Sequence, residues 1–233
     1  MTGTANAIAV IPARGGSKGV PGKNLLEVAG TSLLARAVSC AHDAAAIDRV
    51  VVTTDDERIA AAARELGVGV VDRPAELATD AAPTSPAVLH ALDQVGSDHE
   101  IVVLLQPPSP LRTGADVDAV VQRLADDRAL ASITSVYEVG DTHPARMYRL
   151  ADGVLQPLDP DLERVRRQDL PPVYHRNGAI YATRVDALRA SGELIVEPVA
   201  GYVMDARWTV NIDTPADLAV AELVVADWDR LRA

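Results

Sequence analysis

The amino-acid sequence predicts an α/β protein with a doubly wound fold, in which helices cover both faces of a mostly parallel sheet. Short apolar runs alternate with stretches of helical periodicity along most of the 233 residues. The apolar runs are continuous, as in Ile101–Leu105, which is typical of parallel strands buried on both faces. No repeat or flexible linker divides the chain, so residues 1–233 are interpreted as one domain.

The predicted elements follow from these patterns. Strands are predicted at Ala7–Pro12, Arg49–Thr54, Val68–Val71, Ile101–Leu105, Ser132–Tyr137 and Gly178–Thr183. Helices are predicted at Ser32–Ala45, Glu57–Leu66, Ser85–Val95, Ala115–Asp127 and Pro215–Leu231. A further apolar strand is expected to end at Asn211–Asp213, so that its alternate side chains share one face. Sheets of this class bind ligands beyond the carboxyl ends of their strands, so the loops at that edge are the candidate site.

The alternation of strands and helices breaks between Glu138 and Tyr174. This segment mixes Pro, Asp, Arg and Tyr and contains no long periodic helix. It is longer than an ordinary connection, so we expect an arm embedded in the domain with a functional or intersubunit role. Its apolar and aromatic residues are unsuited to a free loop, which predicts that a second copy of the chain covers them.

Composition and charge exclude several classes of protein. A formal net charge of −11 is unfavourable for neutralising many phosphates, so no nucleic-acid partner is expected. No apolar stretch approaches the length of a membrane span, and Met1–Asn6 lacks the basic and apolar parts of a secretory signal. The single cysteine, Cys40, lies in an apolar helical pattern and is interpreted as a packing residue. We therefore expect a cytoplasmic protein without a membrane partner.

A glycine-rich loop, Ile11–Asn24, follows the first predicted strand. Its four glycines allow the backbone to approach a ligand and to direct N–H groups at phosphate oxygens. Arg14, Lys18 and Lys23 add positive charge. The loop is not a Walker A motif, because its glycines are spaced differently and Lys23 is followed by Asn. We interpret it as a phosphate-binding loop in which Lys23 is accessible to solvent before the ligand binds.

Five motifs occur in order along nearly the whole chain. They are Pro12-Ala13-Arg14 through Lys23-Asn24, Arg73-Pro74-Ala75-Glu76-Leu77-Ala78-Thr79-Asp80, Leu105-Gln106-Pro107-Pro108-Ser109-Pro110-Leu111-Arg112, Arg167-Gln168 through Asn177-Gly178-Ala179-Ile180-Tyr181, and Asn211-Ile212-Asp213-Thr214. Together they resemble the motifs of the N-acylneuraminate cytidylyltransferases. The resemblance implies a Rossmann-like nucleotidyltransferase fold, a homodimer, CTP as donor, Mg²⁺ as cofactor and a small acidic sugar as acceptor.

The resemblance also implies roles for individual residues. The nucleotide-binding set is Ala13, Arg14, Gly15, Gly16, Ser17, Lys23, Asn24, Arg73, Ala82, Thr84 and Gln106, with Arg14, Ser17 and Lys23 on the triphosphate. The acceptor-binding set is Gln106, Ser109, Arg167, His175, Asn177 and Tyr181, completed by the arm of a second subunit. Arg14, Lys23 and Asp213 are the residues expected to act in catalysis. Without the resemblance, Arg73 would also fit a surface ion pair and Gln106 a turn.

Asn211 and Asp213 are the candidate metal ligands. Mg²⁺ is commonly held by one or two carboxylates together with substrate phosphates and water. The family usually has two aspartates at this spacing, so Asn211 leaves the site with one charge fewer. An alternative interpretation is that Asp213-Thr214-Pro215 merely caps the final helix, because Asp or Thr before Pro is a common helix start. Capping and ligation are compatible.

His175 is a second departure, because the sialic acid enzymes usually carry Arg at this position. An N-acylneuraminate-type nonulosonic acid is the preferred acceptor, and a Kdo-like sugar or a phosphonate is the alternative. A catalytically weak, nucleotide-binding regulatory homologue is a further alternative. Asn211 and His175 favour it. It is opposed by the intact Arg14, Lys23, Gln106 and Asp213. The sequence identifies no side chain as a general base.

Overall fold

A seven-stranded sheet forms the centre of the computed structural model, which describes residues 6–16 and 19–232. The strands are β1 Ala7–Pro12, β2 Glu27–Val28, β3 Thr31–Ser32, β4 Ile47–Thr54, β5 Gly69–Asp72, β6 Ile101–Leu104, β7 Ser132–Glu138, β8 Tyr148–Ala151, β9 Val154–Pro157, β10 Tyr174–Arg184 and β11 Val199–Val203. The α-helices are α1 Leu33–His42, α2 Glu57–Glu65, α3 Thr84–Gln94, α4 Gly114–Asp126, α5 Val185–Ser191 and α6 Pro215–Arg232. None of these helices has the length and hydrophobicity needed to span a membrane.

The spatial order of the sheet is β11-β7-β10-β6-β1-β4-β5. β1 pairs in parallel with β4 and β6, and β4 pairs in parallel with β5. β10 is antiparallel to both of its neighbours, whereas β11 is parallel to β7. The predicted mostly parallel sheet is therefore confirmed. Because β10 runs in the opposite direction, its amino end reaches the edge where the carboxyl ends of β1, β4 and β6 lie.

Helices cover both faces of the sheet, as the continuous apolar strands predict. In β1, Ala9 and Ile11 join a cluster that includes residues of α1, α2 and α4. Ile8 and Val10 join the opposite cluster with residues of α3 and α5. This alternation follows from the period of two in a strand, and both faces must be apolar because both are buried.

Helix α6 packs outside this sandwich and fixes the position of the loops at the ligand-facing edge. Its buried residues Ala221 and Val225 form a separate apolar cluster with Leu111 and Ile212. The cluster joins two of the five motifs, because Leu111 belongs to the third and Ile212 to the fifth. Packing of α6 therefore determines where Gln106–Arg112 and Asn211–Thr214 lie relative to each other.

Two predicted boundaries are wrong. The apolar strand lies at Val199–Val203, and Asn211–Asp213 belong to an extended connection after it. The Ile212 N–H donates to the Pro108 carbonyl at 2.9 Å, which anchors this connection without making it a strand. In addition, β10 begins at Tyr174 and not at Gly178, because the residues before Gly178 pair with β7.

The arm between β7 and β10 contains an exposed two-stranded hairpin. β8 and β9 pair with each other in antiparallel fashion and lie outside the central sheet. The arm also contains two short 3₁₀ helices, Pro144–Arg146 and Arg167–Asp169, and its His143 is buried and bonded within the arm. The sequence prediction of an arm without a long helix is confirmed.

Candidate functional site

Two adjoining cavities open at the carboxyl edge of the sheet. The first has a volume of about 350 Å³ and the second of about 660 Å³. The first is lined by Pro12, Arg14, Gly16, Lys23, Asn24, Arg73, Leu77, Thr79, Asp80, Ala82, Pro83, Thr84, Gln106, Pro108, Asn211 and Asp213. The second is lined by Gln106, Tyr137, Tyr174, His175, Arg176, Asn177, Gly178, Tyr181, Thr209 and Asn211. Gln106 and Asn211 stand where the cavities meet.

The glycine-rich loop is bound to the neighbouring strand β4 through its backbone. The Ala13 N–H donates to the Thr53 carbonyl at 3.0 Å, and the Gly15 N–H donates to the Asp55 carboxylate at 2.9 Å. A Cβ at Gly15 would lie 2.6 Å from a carboxylate oxygen of Asp56, so this close approach requires glycine. Ala13 and Gly15 thus hold the loop in place and do not line either cavity.

The side chain of Arg14 reaches the first cavity and makes an ion pair there. Its Nη1 lies 2.9 Å from Oδ1 of Asp80, and both side chains are partly exposed. The buried Asn24 donates from Nδ2 to the Arg14 carbonyl at 2.9 Å, which fixes the backbone beneath that guanidinium. Ser17, a predicted phosphate ligand, and its neighbour Lys18 lie outside the described residues.

Arg73 is a buried cation in the wall of the first cavity. Its Nη2 donates to the Thr53 carbonyl at 2.6 Å and its Nε to the Thr53 hydroxyl at 3.3 Å. Burial is the main cause that lowers the pKa of Arg73 to about 10, with Asp55 opposing the change and Arg14 contributing to it. The guanidinium therefore stays protonated at neutral pH. A surface ion pair, the alternative interpretation of Arg73, does not describe this environment.

Lys23 is directed at the fifth motif. Its Nζ donates to the Ile212 carbonyl at 2.7 Å and to Oδ1 of Asp213 at 2.9 Å. The Lys23 side chain is only 12% exposed, so the expectation that solvent reaches it freely is wrong. The loop lies so close to this segment that a Cβ at Gly19 would meet the Asp213 carbonyl oxygen at 2.0 Å. Lys23 therefore joins the first and the last motif.

The carboxylate of Asp213 does not cap helix α6. The pair at the start of helix α6 is Thr214 and Asp217. Asp217 accepts hydrogen bonds from the backbone N–H groups of Asp213 and Thr214 and from the Thr214 hydroxyl. These bonds lower the pKa of Asp217. The segment therefore caps the helix through Thr214, which accepts from the Asp217 N–H, and the Asp213 side chain takes no part in the cap. Its carboxylate instead accepts from Lys23 and from Asn211.

Asn211 has a fixed amide orientation. Its Nδ2 donates to Oδ2 of Asp213, and its Oδ1 accepts from the Ser109 hydroxyl at 3.1 Å. Two acceptor oxygens cannot bond each other, so the amide nitrogen must face the carboxylate and the amide oxygen must face Ser109. In this arrangement the amide oxygen of Asn211 accepts from Ser109, whereas the Asp213 carboxylate remains exposed.

Ser109 and Asn177 form the floor between the cavities. Ser109 is buried, and its hydroxyl lies within hydrogen-bond distance of the Asn177 carbonyl and of Asn211. The Asn177 side chain accepts from Ser135 and from the Ala179 N–H. These predicted acceptor-site residues therefore position the loop and the strand.

Arg112 supports the loop that carries Gln106. The side chain of Arg112 is buried, and its Nη1 donates to the carbonyls of Gln106, at 2.9 Å, and of Ser109. The guanidinium lies beside the buried thiol of Cys40. Burial raises the pKa of Cys40, although the charge of Arg112 opposes the rise. Cys40 therefore remains a neutral thiol at neutral pH, consistent with a packing role.

The second cavity is built around the amino end of β10. His175 pairs with Tyr137 of β7, and their ring centroids are 5.3 Å apart. The register shifts between Arg176 and Tyr181, and Gly178 there has a φ of +75°. A Cβ at Gly178 would also approach the Ser109 hydroxyl at 3.0 Å, so glycine is required.

Arg167 is a predicted acceptor residue that the structure places away from both cavities. It lies in the arm, where its exposed guanidinium pairs with Asp141 at 2.9 Å. Most other predicted residues meet at the two cavities. The exceptions are Ala13, Gly15 and Ser109, which lie beneath the cavity walls, and Ser17.

Sequence reasoning missed several lining residues. In the first cavity Asp80 and Thr79 belong to a motif that was identified, but only Arg73 was selected from it. In the second cavity Tyr137, Tyr174, Arg176 and Thr209 were missed. The signal for Tyr174 and Arg176 was available, because both lie within the motif that runs from Arg167 to Tyr181. Tyr137 and Thr209 are distant in sequence and carried no such signal.

Comparisons with known proteins agree with the fold and with the motifs. A family model described as cytidylyltransferase matches residues 8–219. N-acylneuraminate cytidylyltransferase of Escherichia coli O18:K1:H7 (strain RS218 / NMEC) is 32% identical over 219 residues, covering 92% of this chain and 51% of that protein. The chain thus spans about half the length of this relative and of similar ones from Streptococcus agalactiae.

A second relative matches along nearly its full length. CMP-N,N'-diacetyllegionaminic acid synthase of Legionella pneumophila subsp. pneumophila (strain Philadelphia 1 / ATCC 33152 / DSM 7513) is 30% identical over 224 residues, covering 92% of this chain and 94% of that protein. A solved structure of CMP:2-keto-3-deoxy-manno-octonic acid synthetase complexed with CTP shares the fold, with a TM-score of 0.75, 23% identity, and coverage of 95% of this chain and 99% of that one. The chain belongs to the cytidylyltransferase family.

Proposed function

We propose that this chain transfers CMP from CTP to a hydroxyl group of a small acidic acceptor, with an N-acylneuraminate-type nonulosonic acid as the preferred acceptor. The main support is that two cavities of different character meet at Gln106 and Asn211. The first contains the phosphate-binding loop, and the second is large enough for a sugar acid. A further support is the relative named CMP-N,N'-diacetyllegionaminic acid synthase, because this chain matches nearly the whole length of that protein.

CTP occupies the first cavity in this proposal. Arg14 and Lys23 bind the triphosphate, because both cations line the cavity beside the glycine-rich loop. Gln106 and Arg73 lie near the pyrimidine, where a rigid amide reads the donors and acceptors of the base. The acceptor occupies the second cavity, with its hydroxyl directed towards Gln106 and Asn211.

The reaction is a displacement at the α-phosphorus of CTP. The acceptor oxygen forms a bond to this phosphorus, the bond to the β-phosphate oxygen breaks, and pyrophosphate leaves. Arg14 and Lys23 stabilise the phosphate oxygens that gain charge, and the two cavity walls hold the reactants in line. In transfers of this kind, positioning and charge stabilisation supply most of the catalysis.

The residues present fit a Mg²⁺ ion. Asp213 supplies one exposed carboxylate in the first cavity, and Mg²⁺ often requires only one or two protein carboxylates besides substrate phosphates. Among the described residues no group of three or more His, Cys, Asp or Glu side chains could hold a metal alone, so the triphosphate must complete the site. Bound Mg²⁺ would neutralise phosphate charge and act as a Lewis acid.

The preference for CTP over UTP as the nucleotide donor is the test of this proposal. With any accepted acid, we expect CTP to support pyrophosphate release at least tenfold better than UTP, because a pocket that pairs with the cytosine edge leaves buried groups unmatched by uracil. The assay would use N-acetylneuraminate, Kdo and a phosphonate as acceptors. Equal rates with CTP and UTP would exclude a cytidylyltransferase. Absence of turnover with every acid, together with tight CTP binding, would favour the regulatory alternative.

Arg112→Met should weaken this base choice. The substitution removes the donor to the Gln106 and Ser109 carbonyls, so the loop that carries Gln106 loses its anchor. We expect the CTP-to-UTP ratio of kcat/KM to fall severalfold. Arg112→Lys should restore it incompletely, because an ammonium lacks the planar fork. An unchanged ratio in both variants would mean that Arg112 does not support base recognition.

The proposed assembly is a homodimer formed through the arm. Leu150 and Leu155 in the β8–β9 hairpin are 70% and 60% exposed, which is a high exposure for neighbouring apolar side chains. We expect a dimer in sedimentation at micromolar concentration and a monomer for Leu150→Asp. The control is Leu223→Asp on α6, at a residue that is 76% exposed outside the arm and should leave the dimer intact. A wild-type monomer would argue against the arm as an interface.

A further inference from the structure

The second cavity has an unusual charge for this protein. The chain has a formal net charge of −11, yet none of the described residues lining this cavity is Asp or Glu. Arg176 is the single Lys or Arg among them. The remaining polar groups are neutral hydroxyls and amides and the imidazole of His175. The cavity therefore favours an anionic ligand, and Arg176 is its source of positive charge.

Arg176 lines the cavity from the amino end of β10. Tyr174, His175 and Arg176 pair in regular register with Glu138, Tyr137 and Val136 of β7, and the register shifts only after Arg176. An irregularity of this kind bends a strand. All residues from Tyr174 to Gly178 line the cavity, on both sides of the point where the regular pairing ends.

The Arg176 guanidinium is available for a ligand. Within residues 6–16 and 19–232 it forms neither an ion pair nor a hydrogen bond. The arginines that might compete with it are engaged: Arg14 pairs with Asp80, and Arg167 pairs with Asp141 in the arm. A guanidinium without a partner, in a cavity without carboxylates, is suited to bidentate binding of a carboxylate or phosphonate.

We infer that Arg176 binds the anionic group of the acceptor and thereby selects acidic acceptors. This inference rests on the proposed function and specifies the acceptor side of the same site. His175, packed against the Tyr137 ring, forms the wall beside it. In this chain the cation that recognises the acid therefore stands one residue after the position where sialic acid enzymes usually carry Arg, on a strand that adjoins the cavity.

The experiment compares Arg176→Gln and Arg176→Lys with the wild type. We expect Arg176→Gln to raise the KM for the acceptor at least tenfold, with a much smaller change in kcat and in the Kd for CTP, and Arg176→Lys to recover part of the loss. Arg128→Gln is the matched control, because Arg128 is exposed and pairs with Glu100 at the start of β6, on the opposite edge of the sheet. Acceptors with a carboxylate and with a phosphonate are compared to distinguish the two anions.

Acceptor binding is also measured directly by calorimetry in the presence of a non-hydrolysable CTP analogue. This readout separates the inference from the proposed function, because it does not require turnover. If the wild type turns over but Arg176→Gln keeps its acceptor KM and Kd within twofold, Arg176 is not the anchor and the proposed function stands. A large loss in Arg167→Gln without one in Arg176→Gln would transfer the role to the arm. If the wild type binds no acid at millimolar concentration, the inference is overturned.

Discussion

Asp213→Asn should lower turnover by about a hundredfold or more, the largest loss expected for a single substitution in this protein. Asp213 accepts from Lys23 Nζ at 2.9 Å and also from Asn211. With Asn at position 213, two neutral amides would face the substrate phosphates, and a hard cation would lose its anionic protein ligand. The measurement is the rate of pyrophosphate release as a function of Mg²⁺ at saturating CTP.

Asn211→Asp is the matched substitution and should act in the opposite direction. It adds a second carboxylate next to Asp213, where the wild-type amide nitrogen now donates to that carboxylate. Without a cation the two carboxylates repel each other, so we expect a lower Tm in chelator and a larger Tm increase on adding Mg²⁺. The Mg²⁺ concentration for half-maximal rate should fall, because charge on the ligands sets affinity for hard cations.

Two results would remove this metal assignment. An unchanged Mg²⁺ dependence of both rate and Tm in Asn211→Asp would mean that residue 211 does not face the metal. Full activity in a folded Asp213→Asn variant would place the metal site elsewhere. The maximal rate of Asn211→Asp is not expected to rise, since a more fully neutralised ion is a weaker Lewis acid.

Lys23→Met should lower turnover by roughly a hundredfold, because its ammonium pairs with Asp213 and, in the proposed reaction, stabilises charge that develops on the phosphates. Lys23 also donates to the Ile212 carbonyl, so its loss has a structural component. The pair is partly exposed at Asp213, so we expect the free energy of unfolding to fall by only about 1 kcal/mol. Turnover and denaturant unfolding are measured on the same preparations.

Arg36→Met is the matched control for Lys23→Met. Arg36 is equally enclosed, with a side chain 11% exposed, and it likewise binds a carboxylate, Asp229, and a backbone carbonyl, that of Val28. It lines neither of the two cavities. We expect Arg36→Met to lose similar stability while turnover stays near that of the wild type. If both variants lose turnover equally, the effect of Lys23 is structural and its catalytic role is wrong.

The sequence alone predicted the class of fold and most of the residues at the site. Continuous apolar runs such as Ile101–Leu105 indicate strands that are buried on both faces. Such a run can be recognised from the local sequence alone. The glycine-rich loop could be identified from its composition, and its position after β1 follows from chain order. Cys40 could likewise be interpreted as a packing residue, because the apolar pattern of its helix predicts a buried side chain, and Cys40 is buried. The motif resemblance supplied Gln106 and Asp213, which no periodicity would have identified.

The tertiary structure determined which side chains are in contact and which groups are their hydrogen-bond partners. Lys23 and Asp213 are 190 residues apart in sequence, and only the packing of α6 brings the first loop against the last motif. Proximity of this kind depends on long-range contacts, so sequence reasoning placed Lys23 in solvent. Asn211 was expected to offer an oxygen to a metal, and the structure adds that this oxygen accepts from the Ser109 hydroxyl.

The same reason separates Arg167 from Arg176. Both are arginines near one motif, and the sequence pattern favoured Arg167. Their difference arises from strand pairing, because Arg176 belongs to β10 and lines the second cavity, while Arg167 stays in the arm beside Asp141. Pairing of β10 with β7, rather than local sequence, fixes where Arg176 lies. Local patterns therefore determined the elements, and the pairing of distant segments determined the site.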